Sequence, residues 1–157
     1  MTTDELKNLA TKIVAESQQL SATHTTEGKS LVNYACVFTQ SENEFQSMLE
    51  AANQLGPVAQ ETATGPVFHI PPLSTVSGTL RLLKIRRPDP KRPERGDADF
   101  TVSNYESFKK EYLGKPGFGI IKRTEMEMIE LIDPSYNVLA YYSHPTLAEV
   151  LKLNIDQ

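Results

Sequence analysis

The chain has 157 residues, with 16 basic and 20 acidic side chains and a formal net charge of −4. This length predicts one domain with enough chain to bury a hydrophobic core. The mixed charge gives no basic field for nucleic acid, and no run of residues is apolar enough to span a membrane. Charges within the first twenty positions argue against a secretion signal, and the single Cys36 cannot form an internal disulfide. We therefore expect a cytoplasmic protein that binds neither nucleic acid nor membrane.

The first predicted element is an amphipathic helix from Thr2 to about Leu20. Apolar side chains recur on one stripe at helical spacing, and Thr2-Thr3-Asp4-Glu5 matches a capping box. The stripe must be buried, either against the rest of the domain or in a homodimer contact, and the pattern leaves both open. Residues 21–30 are predicted to form a polar linker in which His24 is solvated.

Residues 31–87 predict a strand, a helix and three further strands. The first strand is Leu31–Thr39, and Ser41-Glu42-Asn43-Glu44 forms a second capping box. The helix that follows ends at Gly56-Pro57. Three weaker strands are predicted at 58–62, 66–70 and 79–87, with a Pro-rich loop at 71–78 before the last.

The strand at 79–87 and the segment after it carry most of the basic residues in this half. Leu82 and Leu83 are adjacent, so either Arg81 or the pair Lys84 and Arg86 faces away from the core. Residues 88–96 contain three prolines and predict an extended linker. Its basic residues are either solvated or contact phosphate or another acidic partner.

Residues 97–157 repeat the plan of the first half. A strand at Asp97–Val102 precedes a third capping box, Ser103-Asn104-Tyr105-Glu106, and a helix that ends at Gly114. A strand at 118–123 follows, and then a hairpin with arms Glu125–Ile132 and Asn137–Ser143. The turn between the arms contains Pro134, and a short helix follows the second arm.

Two βαβββ units joined by a linker predict an α+β fold, because neither unit alone covers both faces of its sheet. We expect one curved, eight-stranded mixed sheet with a hollow, preceded by the N-terminal helix. The predicted segments are 1–30 for the helix and linker, 31–87 for the first module, 88–96 for the Pro-rich linker and 97–157 for the second module with its C-terminal helix.

The duplicated plan and the motif E-x-I-E-L-x-D-P-x-x-N at Glu127–Asn137 resemble the vicinal oxygen chelate superfamily, which includes glyoxalases and extradiol dioxygenases. The Pro-rich linker after LRLLKIRRP is also similar to that of the small YecM-like branch. The resemblance covers about residues 31–143. It implies a divalent metal in the hollow, held by three or four His and Glu side chains from the first and last strand of each module. Such a metal acts as a Lewis acid.

By strand register, the ligand positions that the resemblance implies carry unusual residues. Asn33 and Asp97 fall at the first-strand positions, Ala140 falls where the family has Glu, and the remaining position falls near 81–84. Zinc and iron sites need His, Cys or carboxylate, so the usual metal site is not expected. The cofactor stays open; if a divalent metal is bound, the candidate ligands are His69, Asp97 and Glu127.

The candidate pocket lining shares a polar or amphipathic side chain on a predicted inner strand face: Asn33, His69, Arg81, Asp97, Asp99, Glu127 and Tyr142. Asp97 and Asp99 are the strongest pair, since an isolated buried carboxylate must be paired or shift its pKa. They could form a salt bridge with Arg81 or Lys84, line a binding pocket, or act in acid–base catalysis.

Three functions remain open from the sequence. The first is a small-molecule-binding protein of glyoxalase-like fold that uses the concave sheet without a metal. The second is a metal-dependent lyase, isomerase or dioxygenase with rearranged ligands. The third is a protein-interaction module that acts through the N-terminal helix or the basic linker, in which case deletion of residues 1–20 leaves the domain folded. Fold alone does not choose among them.

Overall fold

The computed structural model describes residues 1–153, so positions 154–157 of the predicted second module lie outside the described residues. No helix within residues 1–153 is long and apolar enough to cross a membrane. The elements, in chain order, are α1 (Thr3–His24), β1 (Leu31–Phe38), α2 (Glu42–Leu55), β2 (Val58–Thr62), β3 (Gly65–Thr75), β4 (Gly78–Arg86), β5 (Gly96–Thr101), α3 (Tyr105–Tyr112), β6 (Phe118–Lys122), β7 (Glu127–Leu131), β8 (Val138–His144) and α4 (Leu147–Val150).

All eight strands form one mixed sheet in the order β2-β3-β4-β1-β5-β8-β7-β6. Within each module the first strand pairs in parallel with the last, β1 with β4 and β5 with β8, while β1 and β5 join the modules in antiparallel fashion. The predicted α+β fold of two βαβββ modules is therefore confirmed. This is the architecture that the resemblance to the vicinal oxygen chelate superfamily implies.

Helix α1 covers one face of the sheet, which we call the helix face. Its stripe, including Leu6, Ile13 and Leu20, is buried in the main core together with sheet residues such as Phe100 and Tyr142. The stripe is therefore buried against the rest of the domain, which is one of the two choices that the sequence left open, and a homodimer stays a prediction. The opposite face, which we call the cavity face, carries the cavity described below.

The N-terminal helix is longer than predicted, and His24 is not a solvated loop residue. Helix α1 runs to His24, and its predicted capping box at Thr2 and Glu5 is present. His24 is half-buried, and its Nε2 lies 2.9 Å from Oδ2 of Asp133 in the β7–β8 turn. This contact joins the end of α1 to the hairpin of the second module.

Two local predictions need correction. The cap of α3 is Asn104 rather than Ser103, because the Asn104 side chain accepts the backbone N–H of Ser107 at 3.0 Å. Residues 71–75 belong to β3 rather than to a loop, since the strand continues through Pro71-Pro72 with a register irregularity between His69 and Leu73. A bulge of this kind accommodates residues that cannot donate to the ladder.

The linker at 88–96 is held by ion pairs and is not merely solvated. Arg95 donates to both carboxylate oxygens of Glu44, at 2.6 and 3.1 Å, and so attaches the linker to α2. Arg92 lies 3.2 Å from Oε2 of Glu130 on β7. The linker therefore brings a cation to the cavity face at a fixed place.

Candidate functional site

A cavity of about 440 Å³ lies on the cavity face of the sheet. Every strand contributes to its wall, together with the linker, the turn before β7, and α4. Apolar contributions come from Phe38, Met128 and Leu147, among others, and charged ones from both modules. The volume lies within the range of small-molecule sites, which is roughly 300–1,000 Å³.

A lateral row of three residues forms the centre of this wall. Cys36 on β1 is in register with Lys84 on β4 and with Asp97 on β5, so the small thiol separates an ammonium from a carboxyl group. All three line the cavity. Neighbouring strands lie about 4.8 Å apart, which places the Cα atoms of Lys84 and Asp97 roughly 10 Å from each other. Burial raises the pKa of the Cys36 thiol, with Asp97 acting in the same direction, so Cys36 is not an activated thiolate.

Asp97 is the most unusual group in the row. It is 5% exposed, and its Oδ1 makes no hydrogen bond with any residue in 1–153. Burial, reinforced by the nearby Asp99 carboxyl, raises the pKa of Asp97 well above its ordinary value, while Lys84 and Arg86 act in the opposite direction. A buried carboxyl without a partner is costly, which makes it a characteristic feature of binding sites.

A second polar group borders the row where β8 meets β7. The Tyr141 hydroxyl donates to Oε2 of Glu130, and the same oxygen accepts from Arg92 Nη2 at 3.2 Å. Tyr141 and Arg92 line the cavity. Burial, together with the negative charge of Asp97, raises the pKa of Tyr141, so the phenol stays a hydrogen-bonding group. Glu130 thus fixes the orientation of two cavity side chains.

Asp99 lies on the same face of β5 as Asp97, two residues further along, but does not line the cavity. It is fully buried and accepts hydrogen bonds from the Ser143 hydroxyl at 2.6 Å and from the Ser143 backbone N–H at 3.3 Å. Burial raises the pKa of Asp99 to about 7, although Ser143 and Asn33 favour its charged form. The predicted salt bridge of Asp97 or Asp99 with Arg81 or Lys84 does not form, since no such ion pair exists within residues 1–153.

Tyr142, a predicted lining residue, and Ala140, at a predicted metal-ligand position, lie on the other side of the sheet. Tyr142 is fully buried on the helix face, where its hydroxyl donates to Ser21 Oγ of α1 at 2.6 Å. Ala140 lies on the same face, in the main core. The predicted register of β8 was therefore wrong by one residue, and Tyr141 is the tyrosine that lines the cavity.

Glu127 is also directed away from the cavity. It accepts a hydrogen bond from the Tyr105 hydroxyl at 2.8 Å and pairs with Lys109 Nζ at 2.9 Å, both on α3. The hydrogen bonds from Lys109 and Tyr105 lower the pKa of Glu127. Glu130, not Glu127, is the glutamate on the cavity side of β7.

The other three predicted residues do not line the cavity. Asn33 is the extra residue of a β-bulge in β1, where the register with β5 shifts between Val32 and Tyr34. It is buried beside Asp99. His69 is half-buried on β3 opposite Leu82 of β4. Arg81 is half-buried and does not line the cavity. The sequence left open which face of β4 carries Arg81 and which carries Lys84 and Arg86, and the structure places Lys84 and Arg86 at the cavity.

The donor set does not fit the divalent metal that the resemblance implies. No group of three His, Cys, Asp or Glu side chains within residues 1–153 is arranged to hold a metal ion, so His69, Asp97 and Glu127 are not brought together. The only carboxylate in the central row, Asp97, faces Lys84 across Cys36. One carboxylate beside an ammonium is not the set of His, Cys or carboxylate ligands that a zinc or iron site needs.

Sequence reasoning missed Tyr141, Glu130 and Arg92. The alternation of β8 could have identified Tyr141, because Leu139 and Tyr141 share the face of Asp97 and Asp99 once β5 and β8 are paired in parallel. No local signal pointed to Arg92, whose place in the site depends on a contact 38 residues away.

The comparisons with known proteins concern the fold. No protein-family model matches the sequence, and the comparison with curated proteins gave no match. A solved structure described as "Structural Genomics, Protein EC4020" is similar to this chain with a TM-score of 0.69 and 13% identity, covering 95% of this chain and 92% of that one. The two therefore share a fold.

A glyoxalase/bleomycin resistance protein/dioxygenase superfamily member from Vibrio splendidus 12B01 also matches. Its TM-score is 0.42 with 10% identity, and the match covers 70% of this chain and 95% of that one. The assignment to the YecM-like branch stays a prediction.

Proposed function

We propose that this protein binds a small organic molecule in the cavity on the cavity face, without a metal in the usual position. The observation that carries the proposal is the wall itself. It encloses about 440 Å³, and it combines apolar side chains with the unpaired Asp97 carboxyl. Binding sites of this kind are mostly apolar with a few convergent polar groups. The mildly acidic surface and the single reduced Cys36 favour a cytoplasmic location.

The interaction-module hypothesis has less support, because α1 is part of the core and the linker arginines already pair within the chain. The metal-dependent hypothesis lacks a converging ligand set within residues 1–153. Neither alternative has an observation of its own in its favour.

A fragment screen by NMR on ¹⁵N-labelled protein tests the proposal. We expect fragments to shift the backbone amides of Cys36, Asp97 and Tyr141, which surround the cavity. Ala63 is exposed in the β2–β3 turn at the cavity wall, so Ala63→Trp should obstruct entry and weaken those shifts. Val76→Trp is the matched control, because Val76 is exposed in another hairpin turn that does not line the cavity.

Two results would contradict the proposal. One is a screen whose hits shift amides elsewhere and respond equally to both tryptophan variants. The other is near-stoichiometric manganese, iron, nickel or zinc in the purified protein, with a metal-dependent rise in melting temperature that Asp97→Ala removes. The second result would establish a metal site despite the donor set.

A further inference from the structure

The cationic side chains of the cavity differ in whether they are neutralised. Arg92 pairs with Glu130 at 3.2 Å, and Arg86 pairs with Asp89 at 3.3 Å. Lys84 makes no ion pair or hydrogen bond through its ammonium with any residue in 1–153, although it is half-buried on the central row. An ammonium at the cavity wall that no carboxylate neutralises can pair with an incoming oxyanion through a charge-assisted hydrogen bond.

The arrangement of charge within the cavity points the same way. Glu61, Arg123 and Glu125 lie at exposed positions of the wall, where water screens their charges. Lys84, on the central row, is half-buried. An anion that enters past the exposed part of the wall therefore meets its strongest attraction on the central row.

Asp97 supplies an independent observation about the same place. Its Oδ1 is buried and without a partner, and it lies on the other side of Cys36 from Lys84. The two side chains approach without forming an ion pair within 4.0 Å. A ligand that sits over Cys36 can accept from Lys84 and exchange a hydrogen bond with Asp97.

We propose that the ligand is an organic anion whose carboxylate or phosphate group binds Lys84, with a hydroxyl group next to it that hydrogen-bonds Asp97. Its apolar part lies against Met126, Met128 and Leu147, which line the same cavity. This inference rests on the proposed function, since it names the chemistry of the ligand for that site.

The test is isothermal titration calorimetry on the full chain with a matched series of phenyl compounds. Phenylacetate, phenylacetamide and phenethylamine differ in charge, mandelate adds a hydroxyl beside the carboxylate, and phenyl phosphate distinguishes phosphate from carboxylate. We expect phenylacetate or phenyl phosphate to bind about tenfold more tightly than the amide or the amine. We expect mandelate to bind more tightly than phenylacetate.

Variants locate the effect within the cavity. Lys84→Met should weaken binding of phenylacetate by about tenfold without changing that of the amide. Lys84→Gln serves if Lys84→Met does not fold. Asp97→Ala should remove the advantage of mandelate over phenylacetate. Lys110→Met is the matched control, because Lys110 is exposed on α3 and carries the same charge.

Each other outcome is decisive. Equal binding of phenylacetamide and phenylacetate, unaffected by Lys84→Met, overturns the inference and leaves the proposed function intact. No binding by any member of the series up to about 10 mM also overturns it. The fragment screen then judges the proposed function separately, since neutral hits at the cavity would support binding without an anion.

Discussion

The neighbouring residues Tyr141 and Tyr142 show how differently the two faces of the sheet are built. On the helix face, the Tyr142 hydroxyl donates a hydrogen bond to Ser21 Oγ, and the Tyr142 ring packs against Phe108 with 4.3 Å between the ring centroids. On the cavity face, Tyr141 borders open space and Asp97, which has an oxygen without a partner. Around Tyr142 the helix face is closed by a hydrogen bond and ring packing, while the cavity face at Asp97 retains an oxygen that a ligand can complete.

The largest effect should follow removal of the helix that closes the helix face. Deletion of residues 1–20 removes Leu6, Ile13 and Leu20 from the core, each at most 2% exposed, and exposes the apolar side chains beneath them. We expect loss of cooperative thermal unfolding and of dispersed NMR signals, because burial of such side chains is worth about 1.5–3 kcal/mol each.

This prediction separates the helix from a detachable interaction module. Val76→Ala is the control, since Val76 is 69% exposed and contributes little to the core. A truncated chain that keeps a cooperative transition would show that α1 is an accessory element, as the interaction-module hypothesis requires.

The next prediction compares the two tyrosines directly. Tyr142→Ala should lower the free energy of unfolding by about 3–5 kcal/mol, because it leaves a cavity in the core and a Ser21 hydroxyl without its partner. Tyr141→Ala should cost about 1–2 kcal/mol, since water can enter from the cavity where the ring is lost. Urea unfolding of both variants gives the two values.

Binding should show the opposite order. Tyr141→Ala should change the affinity for cavity ligands, while Tyr142→Ala, where it still folds, should leave it unchanged. Equal stability losses, or a binding defect confined to Tyr142→Ala, would contradict the assignment of these residues to opposite faces.

The sequence predicted the elements well and the faces of the strands poorly, for a physical reason. Capping boxes, Gly-Pro helix stops and the turn at Asp133–Asn137 are local signals, and the structure confirms the helices and the hairpin that they indicate. The face to which a strand side chain points is predicted from the alternation of apolar and polar residues. That alternation is lost when both faces of the strand are buried. Six of the seven residues of β8 are buried, so the pattern gave no direction and the predicted register was wrong by one residue.

The remaining errors come from features that depend on distant contacts. The bulge at Asn33 shifts the parity of β1, and no sequence signal marks it. Glu127 was predicted to face inward, but Tyr105 and Lys109 of α3 hold it on the other side. For β4 the sequence left two choices for the side chains that face away from the core, and the pair Lys84 and Arg86 was one of them. A cavity on one face of the sheet was thus predictable, but most of the side chains that line it were not.

The last prediction concerns the pH dependence of stability, which reveals the electrostatic cost of a buried carboxyl on the cavity face. The pKa of Asp99 is raised by burial to about 7 from an ordinary value near 3.8. A carboxyl with a raised folded pKa holds its proton more tightly in the folded state. Its contribution to stability is therefore complete below about pH 4 and is lost as the pH rises to about 7.

Asp99→Asn removes this dependence. The free energy of unfolding of the variant, minus that of the natural chain, should rise from pH 4 to pH 7 and then level off. The altered hydrogen bonds to Ser143 add a loss that does not change with pH. Asp4→Asn, which removes an exposed carboxylate from α1, controls for the change in net charge. A difference that stays flat over this range, or that falls with pH, would show that Asp99 is not held as a protonated acid. The cavity face would then be as well compensated as the helix face, and the contrast between Tyr141 and Tyr142 would be one of packing alone.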